Sequence, residues 1–154
     1  INTYIMASKF QQGIFTPRNL SRYIGKHSPR YRSGWELKFM RFCDTHPSVV
    51  AWASESHRIP YFHPVKNKQT MYVPDFFIVY EDVNKKRHAE FIEIKPAGQI
   101  LGNARSPAQK AAAVVNEAKW QAAKLFASKQ GVGFRVLTEN ELFNNPKKTK
   151  KRKK

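Results

Sequence analysis

The sequence predicts an α/β domain in which a mixed β-sheet is flanked by two helices. Three observations support this class: a capped amphipathic segment at residues 33–45, two β-prone runs at residues 71–80 and 88–95, and a long helical segment after residue 106. In chain order the predicted elements are α, β, β, β, α, β, without an internal repeat. The chain has 154 residues, 41% of them hydrophobic, which is enough for one domain with its own core.

The first helix is predicted by its start and its end. Ser33 is followed three residues later by Glu36, which is the capping-box pattern, and the apolar positions stop before Pro47. We therefore expect a helix from about Ser33 to Thr45. Cys43 lies among its apolar residues, and as the single cysteine it excludes an intramolecular disulfide and a cysteine-based zinc site.

A β-rich region follows the first helix. Residues 48–62 are β-like, residues 66–68 indicate a turn, and the runs MYVPDFFIVY and HAEFIEIK are separated by the polar segment EDVNKKR. We expect these two runs to form an antiparallel hairpin centred near Asn84. In that register Tyr80 faces His88, and Asp75 lies opposite Glu93.

The second helix should begin after Ser106 as N-cap and end before Gly131. Trp120 lies opposite the predicted buried stripe, so it packs either in a second core layer or against a partner. A last short strand is expected at residues 134–137. Helical spacing predicts that this buried stripe consists of Ala111, Val114, Val115, Ala118, Ala122, Leu125 and Phe126.

The net charge of +17 is unevenly distributed. Residues 1–32 hold six Lys and Arg and no acid, and residues 147–154 are basic at every position except Thr149. The segment between them holds all 11 acids against 15 Lys and Arg. We therefore predict a basic N-terminal arm (1–32), a nearly balanced domain (33–145) and a basic tail (146–154).

Such arms attract a polyanion, and counterion release favours nucleic acid. An anionic membrane surface is the competing interpretation, but the arms lack an apolar stripe, and no run approaches the roughly 20 apolar residues of a membrane span. A flexible, solubilising tail and a solvated helix lysine are the simpler alternatives. The candidate DNA contacts are Arg30, Arg32, Lys119, Lys147, Lys148, Lys150, Lys151, Arg152, Lys153 and Lys154.

Three polar residues of the predicted hairpin share one face. Strand alternation places Glu93 and Lys95 on the same side, with Asp75 opposite Glu93. Two adjacent carboxylates raise each other's pKa unless a cation lies between them. Mg²⁺ suits two carboxylates, a backbone carbonyl, waters and substrate phosphate, and Mn²⁺ should substitute for it. Taken singly, each of the three residues also fits an ordinary turn or surface position.

Pro74-Asp75 followed by Glu93-Ile94-Lys95 resembles the PD-(D/E)XK signature of the restriction-endonuclease-like superfamily. The segments YRSGWELKFMRFCDTHPSVVAW, IPYF, PDF, IEIKP and NEAKWQAAK further resemble tailed-phage head completion nucleases, over roughly residues 30–142. This resemblance implies a restriction-endonuclease-like core and a catalytic set of Glu36, Asp75, Glu93 and Lys95. Metal would be held by the Asp75 and Glu93 carboxylates and the Ile94 carbonyl, while Glu36 is equally explained as a helix cap.

The sequence and the resemblance together predict a Mg²⁺-dependent endodeoxyribonuclease of phage head completion. It would trim or nick packaged double-stranded DNA and be needed for head-tail joining, with portal or neck proteins as candidate partners. We expect it in the host cytoplasm during assembly, with the virion head-tail junction as a second location. The rivals are a structural virion protein on a nuclease fold that needs no cleavage and a basic nucleic-acid-binding module with an accidental motif.

Overall fold

The computed structural model describes residues 12–100 and 102–142. The predicted basic tail and the first 11 residues lie outside these ranges. No helix within the described ranges has both the length and the hydrophobicity to cross a membrane. The described elements are strands Gly13–Ile14 (β1), Arg30–Tyr31 (β2), Val49–Ser54 (β3), Ile59–His63 (β4), Lys68–Tyr72 (β5), Phe76–Glu81 (β6), Arg87–Ile94 (β7) and Gly133–Leu137 (β8), and helices Gly34–Thr45 (α1), Pro107–Lys129 (α2) and Glu139–Leu142 (α3).

A four-stranded mixed sheet, in the order β3-β6-β7-β8, forms the centre of the domain. Strands β3, β6 and β7 pair antiparallel, while β8 returns after α2 and pairs parallel to β7. The predicted α/β class with a mixed sheet and flanking helices is thereby confirmed. The register expected for the hairpin is also confirmed, because Tyr80 pairs with His88 and Phe76 with Ile92.

Helix α1 covers one face of this sheet. Its N-cap is Ser33, whose side chain accepts a hydrogen bond from the Glu36 backbone N–H at 3.2 Å, as the capping pattern predicted. Cys43 is fully buried, as expected. Phe39, Met40 and Cys43 of α1 pack on the sheet and form the first core. The strand residues of this core are Val49, Trp52, Phe76, Ile78, Ile92, Ile94 and Leu137.

The strand pattern is more divided than the sequence suggested. The predicted run 71–80 is two strands, since β5 ends at Tyr72 and β6 begins at Phe76. Pro74 between them has no backbone N–H to donate to a ladder, and the Asp75 side chain turns to a backbone N–H instead. The β-like residues 48–62 likewise split around Glu55, which has a positive φ of 49°. Strands β4 and β5 then form a separate hairpin.

The prediction for the buried face of α2 was wrong in part, because Ala118, Ala122 and Phe126 of the expected stripe are half-buried against a core while other members are exposed. Val114 and Leu125 of the expected stripe are 43% and 60% exposed. The helix turns its other face inward because Trp120 buries much more apolar area than a valine, and small residues around it allow close approach. The buried residues are Ala113, Asn116, Trp120, Ala123 and Ala127.

Trp120 belongs to a second core, as one of its two interpretations predicted. It packs with Ala123 against Ile59, Tyr61 and Tyr72 of the β4–β5 hairpin. This core attaches the hairpin to α2. The helix boundaries were predicted correctly: Ser106 and Gln109 form a capping box, and Gly131 leaves the helix with a φ of 74°.

Residues 12–32 pack on the domain. The buried Asp44 carboxylate accepts hydrogen bonds from the backbone N–H groups of Arg18 (3.0 Å) and Asn19 (2.9 Å). The Tyr23 ring meets Trp52 edge to face at 4.7 Å between centroids. The boundary between an N-terminal arm and the domain at residue 33 stays a prediction. The contacts of Asp44 and Trp52 join the two sides of that boundary.

Candidate active site

The open end of the β6–β7 hairpin carries the predicted acids. Asp75 stands one residue before β6, and its Oδ2 accepts a hydrogen bond from the Ile94 backbone N–H at 2.8 Å. The ladder pairs Phe76 with Ile92, so Asp75 and Glu93 are the next positions of the same register. The predicted juxtaposition of Asp75 with the end of β7 therefore occurs, with the Asp75 side chain satisfying a backbone donor at the strand end.

Both carboxylate oxygens of Glu93 are engaged. The Tyr72 hydroxyl donates to Oε1 at 2.6 Å, and Lys95 Nζ lies 3.5 Å from Oε2. Glu93 is only 6% exposed. Glu93 is the penultimate residue of β7 and Lys95 directly follows the strand, so continued alternation brings the two side chains to the same face. A short, charge-assisted hydrogen bond from tyrosine fixes the position of the carboxylate.

The electrostatics of the acids follow from their burial. Burial raises the pKa of Asp75 well above its ordinary value, and the neighbouring carboxylates of Glu93 and Glu36 raise it further. The pKa of Glu93 is also raised by burial, while the charge of Lys95 and the hydrogen bond from Tyr72 oppose the rise. Ionising these acids together is therefore unfavourable unless a further positive charge approaches them.

Glu36 joins this cluster from the first turn of α1. Its Oε1 accepts a hydrogen bond from the Arg32 backbone N–H at 3.2 Å, so its carboxylate caps the chain just before the helix. Burial raises its pKa, and the charges of Glu55 and Glu93 add to the rise. The capping and electrostatic roles thus coexist in one side chain. Its catalytic role stays a prediction.

The donor set fits a hard divalent cation. Asp75 and Glu93 are oxygen donors whose mutual repulsion a cation would relieve. The N–H of Ile94 points to Asp75, and since the N–H and C=O of one strand residue face the same edge, its carbonyl is directed there too. In residues 12–100 and 102–142, no group of three or more His, Cys, Asp or Glu side chains is arranged to hold a metal ion. A hard divalent cation held by two carboxylates usually takes its remaining ligands from water and substrate phosphate.

Two neighbours of the acids were not predicted as parts of the site. Tyr72 belongs to the β4–β5 hairpin, and its hydroxyl donates a hydrogen bond to Glu93. Lys119 of α2 places its Nζ 5.7 Å from the Tyr72 ring centroid, and its pKa is lowered by burial and then by the charge of Lys95. The sequence identified Lys119 only as a candidate DNA contact. No local pattern connects residues 72 and 119, because the fold of the second core brings them together.

The predicted DNA-binding arginines are exposed and lie before α1. Arg32 Nε pairs with Glu55 Oε2 at 3.0 Å, and Arg30 lies in β2. Their role as DNA contacts stays a prediction. The predicted contacts of the tail, residues 147–154, lie outside the described residues.

A cleft of about 840 Å³ opens on the opposite face of the sheet. Phe42, Ile78 and Ile92 contribute to its mainly apolar lining, and none of the four predicted catalytic residues lines it. The acids project from the other side, since Ile92 and Glu93 alternate along β7. The four predicted catalytic residues therefore lie outside that cleft.

Comparisons with known proteins agree with the fold. A family model described as "TnsA-like endonuclease N terminal" matches residues 46–139, a range that contains Asp75, Glu93 and Lys95 but not Glu36. A relative named "Head completion nuclease", from Enterobacteria phage T4, is 35% identical over 143 residues, which covers 84% of this chain and 92% of the relative. The expected restriction-endonuclease-like fold is thus confirmed, and the chain belongs to the TnsA-like endonuclease N-terminal family.

Proposed function

We propose that this protein is a metal-dependent DNA endonuclease of phage head completion, which trims or nicks packaged double-stranded DNA before head-tail joining. The observation that carries the proposal is the buried pair Asp75 and Glu93 with Lys95 Nζ 3.5 Å from Glu93. The family match and the relative's name support endonuclease chemistry and the assembly role. We infer that the protein acts in the host cytoplasm during assembly, with the virion head-tail junction as a second location and portal or neck proteins as candidate partners.

Each predicted residue of the site has a proposed role in hydrolysis. The Asp75 and Glu93 carboxylates and the Ile94 carbonyl would hold Mg²⁺, with Mn²⁺ as a substitute. When bound, the ion supplies charge stabilisation at the phosphate and makes a bound water easier to deprotonate. Lys95 would orient the attacking water or screen the negative charge that develops on the phosphate. Glu36 supports a second ion or orients Lys95 through its negative charge.

The basic arms provide affinity without sequence selection. Contacts from Lys and Arg to phosphates position a protein on DNA but carry no direct base information. Arg30 and Arg32 stand exposed just before the helix that carries Glu36. The tail adds seven Lys and Arg at residues 147–154. We therefore expect binding to DNA of any sequence, weakened by salt.

Replacing Asp75 by Asn should abolish Mg²⁺-dependent nicking of supercoiled plasmid. The amide oxygen can still accept the Ile94 hydrogen bond, so the fold is kept while the metal-binding charge is lost. A metal ion contributes several kcal/mol to the transition state. At about 1.4 kcal/mol per tenfold, the nicking rate should fall at least ~100-fold. Glu93→Gln and Lys95→Met should lower it similarly.

The exposed Lys124 of α2 provides the matched control for these variants. Lys124→Met should nick like the wild type. If the wild type and Asp75→Asn nick equally, the catalytic assignment fails. If neither nicks with Mg²⁺ or Mn²⁺, the protein is better described as a structural DNA-binding virion protein on a nuclease fold.

The same Asp75→Asn variant should melt at a higher temperature than the wild type in EDTA at pH 7. Burial raises the Asp75 pKa, so the folded state loses stability as pH rises through that pKa and the carboxylate ionises. The difference should be about 2–4 °C per kcal/mol of repulsion removed, and it should shrink as pH falls. Mg²⁺ should raise the melting temperature of the wild type alone.

Differential scanning calorimetry across pH, with and without Mg²⁺, measures these shifts. A variant that is less stable than the wild type in EDTA at neutral pH would contradict the proposed repulsion. If neither Mg²⁺ nor Mn²⁺ changes the melting temperature of the wild type, the proposed metal site is contradicted.

Replacing the seven Lys and Arg of residues 147–154 by Gln should flatten the salt dependence of DNA binding. Each neutralised phosphate contributes about 0.9 to the slope of log affinity against log salt, so the slope should fall by several units. The substitution keeps the length of the tail and changes only its charge. Fluorescence anisotropy with a labelled duplex measures the slope, and an unchanged value would show that the tail does not contact DNA.

A further inference from the structure

Lys119 lies over two tyrosine rings of the β4–β5 hairpin. Its Nζ is 6.0 Å from the Tyr61 ring centroid and 5.7 Å from that of Tyr72. Tyr61 and Tyr72 belong to adjacent strands, and their rings are buried at 5% and 4% exposure. Ring faces attract a cation within about 6 Å, so they direct the ammonium group without neutralising it.

The position of Lys119 is fixed by the core beside it. The next residue, Trp120, is buried against Ile59 and both tyrosines. Because a packed aromatic residue cannot rotate out without losing its buried area, the docking of α2 sets the direction in which Lys119 leaves the helix. A solvated helix lysine would lack such a fixed support. This is the physical difference between Lys119 and the exposed Lys124.

Lys119 also stands beside the catalytic acids. The Tyr72 hydroxyl that donates to Glu93 belongs to one of the two rings under the ammonium group. The charges of Lys95, Glu93 and Asp75 all act on Lys119. In the part of the chain that the structure describes, however, Lys119 forms no ion pair within 4 Å. Because burying an unpaired charge is costly, a half-buried cation of this kind is stabilised when it binds an anion.

We propose that Lys119 is a substrate-contacting residue of the active site. Its ammonium group, held over Tyr61 and Tyr72, binds a DNA backbone phosphate next to Asp75 and Glu93. Tyr72 is a positioning residue, because its hydroxyl holds Glu93 while its ring supports Lys119. The inference rests on the proposed nuclease function and deepens it. One tyrosine then links the phosphate contact to the metal-binding carboxylate.

Two variants separate the two roles. Lys119→Met should lower the slope of log affinity against log salt by about 0.9 for duplex binding in EDTA, as expected for one lost phosphate contact. It should also lower kcat/KM for plasmid nicking at least tenfold. Tyr72→Phe keeps the ring and removes only the hydroxyl. It should leave the salt slope unchanged and lower kcat.

Lys124→Met is the matched control on the same helix, and Lys119→Arg, which keeps the charge, should restore the salt slope. Circular dichroism melting identifies variants that fail to fold. If Lys119→Met is folded and keeps both the slope and the nicking rate of the wild type, this inference is overturned while the nuclease function stands. If the wild type itself does not nick with Mg²⁺ or Mn²⁺, the nuclease function fails and this inference fails with it.

Discussion

The pairing of β6 with β7 holds two carboxylates at one buried strand end, and the rest of the site is arranged around that charge. The register that joins Phe76 to Ile92 brings Asp75 to the Ile94 N–H and leaves Glu93 beside it. Burial alone would favour the protonated acids. Lys95, the Tyr72 hydroxyl and the Ile94 N–H each favour ionisation, and a divalent ion would complete the balance. The local fold therefore gathers acids at the point where the proposed metal ion would bind.

The two cores support the strand end that carries Asp75 and Glu93 from opposite sides. The first packs α1 against the sheet and brings Glu36 to the cluster from one side. The second packs α2 against the β4–β5 hairpin and brings Tyr72 and Lys119 from the other side. Each core contains three buried aromatic residues, and this packing fixes the backbone from which the side chains of the site project. They are Phe39, Trp52 and Phe76 in the first core and Tyr61, Tyr72 and Trp120 in the second. Such support on regular elements gives a site the precision that phosphoryl chemistry requires.

The parts that the sequence predicted depend on local rules. Asp75 and Glu93 could be paired because a polar turn near Asn84 fixes the hairpin register, and Lys95 follows from strand alternation. The buried face of α2 could not be predicted from spacing, since both faces carry apolar residues and the choice depends on what Trp120 meets. Tyr72 was missed for the same reason, and Lys119 was predicted as a DNA contact but not as a neighbour of Tyr72 and the acids. Their contact is made by two distant segments, and only tertiary packing brings them together.

The most direct test of this account is a crystal structure of the protein soaked with Mn²⁺, with anomalous diffraction to locate the ion. The account predicts a peak bound by Asp75, Glu93 and the Ile94 carbonyl at about 2.0–2.2 Å, the range for a small octahedral divalent cation. Lys95 should remain beside Glu93, and Glu36 should face the ion or Lys95. A Mn²⁺ site elsewhere, or saturating Mn²⁺ with no peak between Asp75 and Glu93, would contradict the claim that this strand end is a catalytic metal centre.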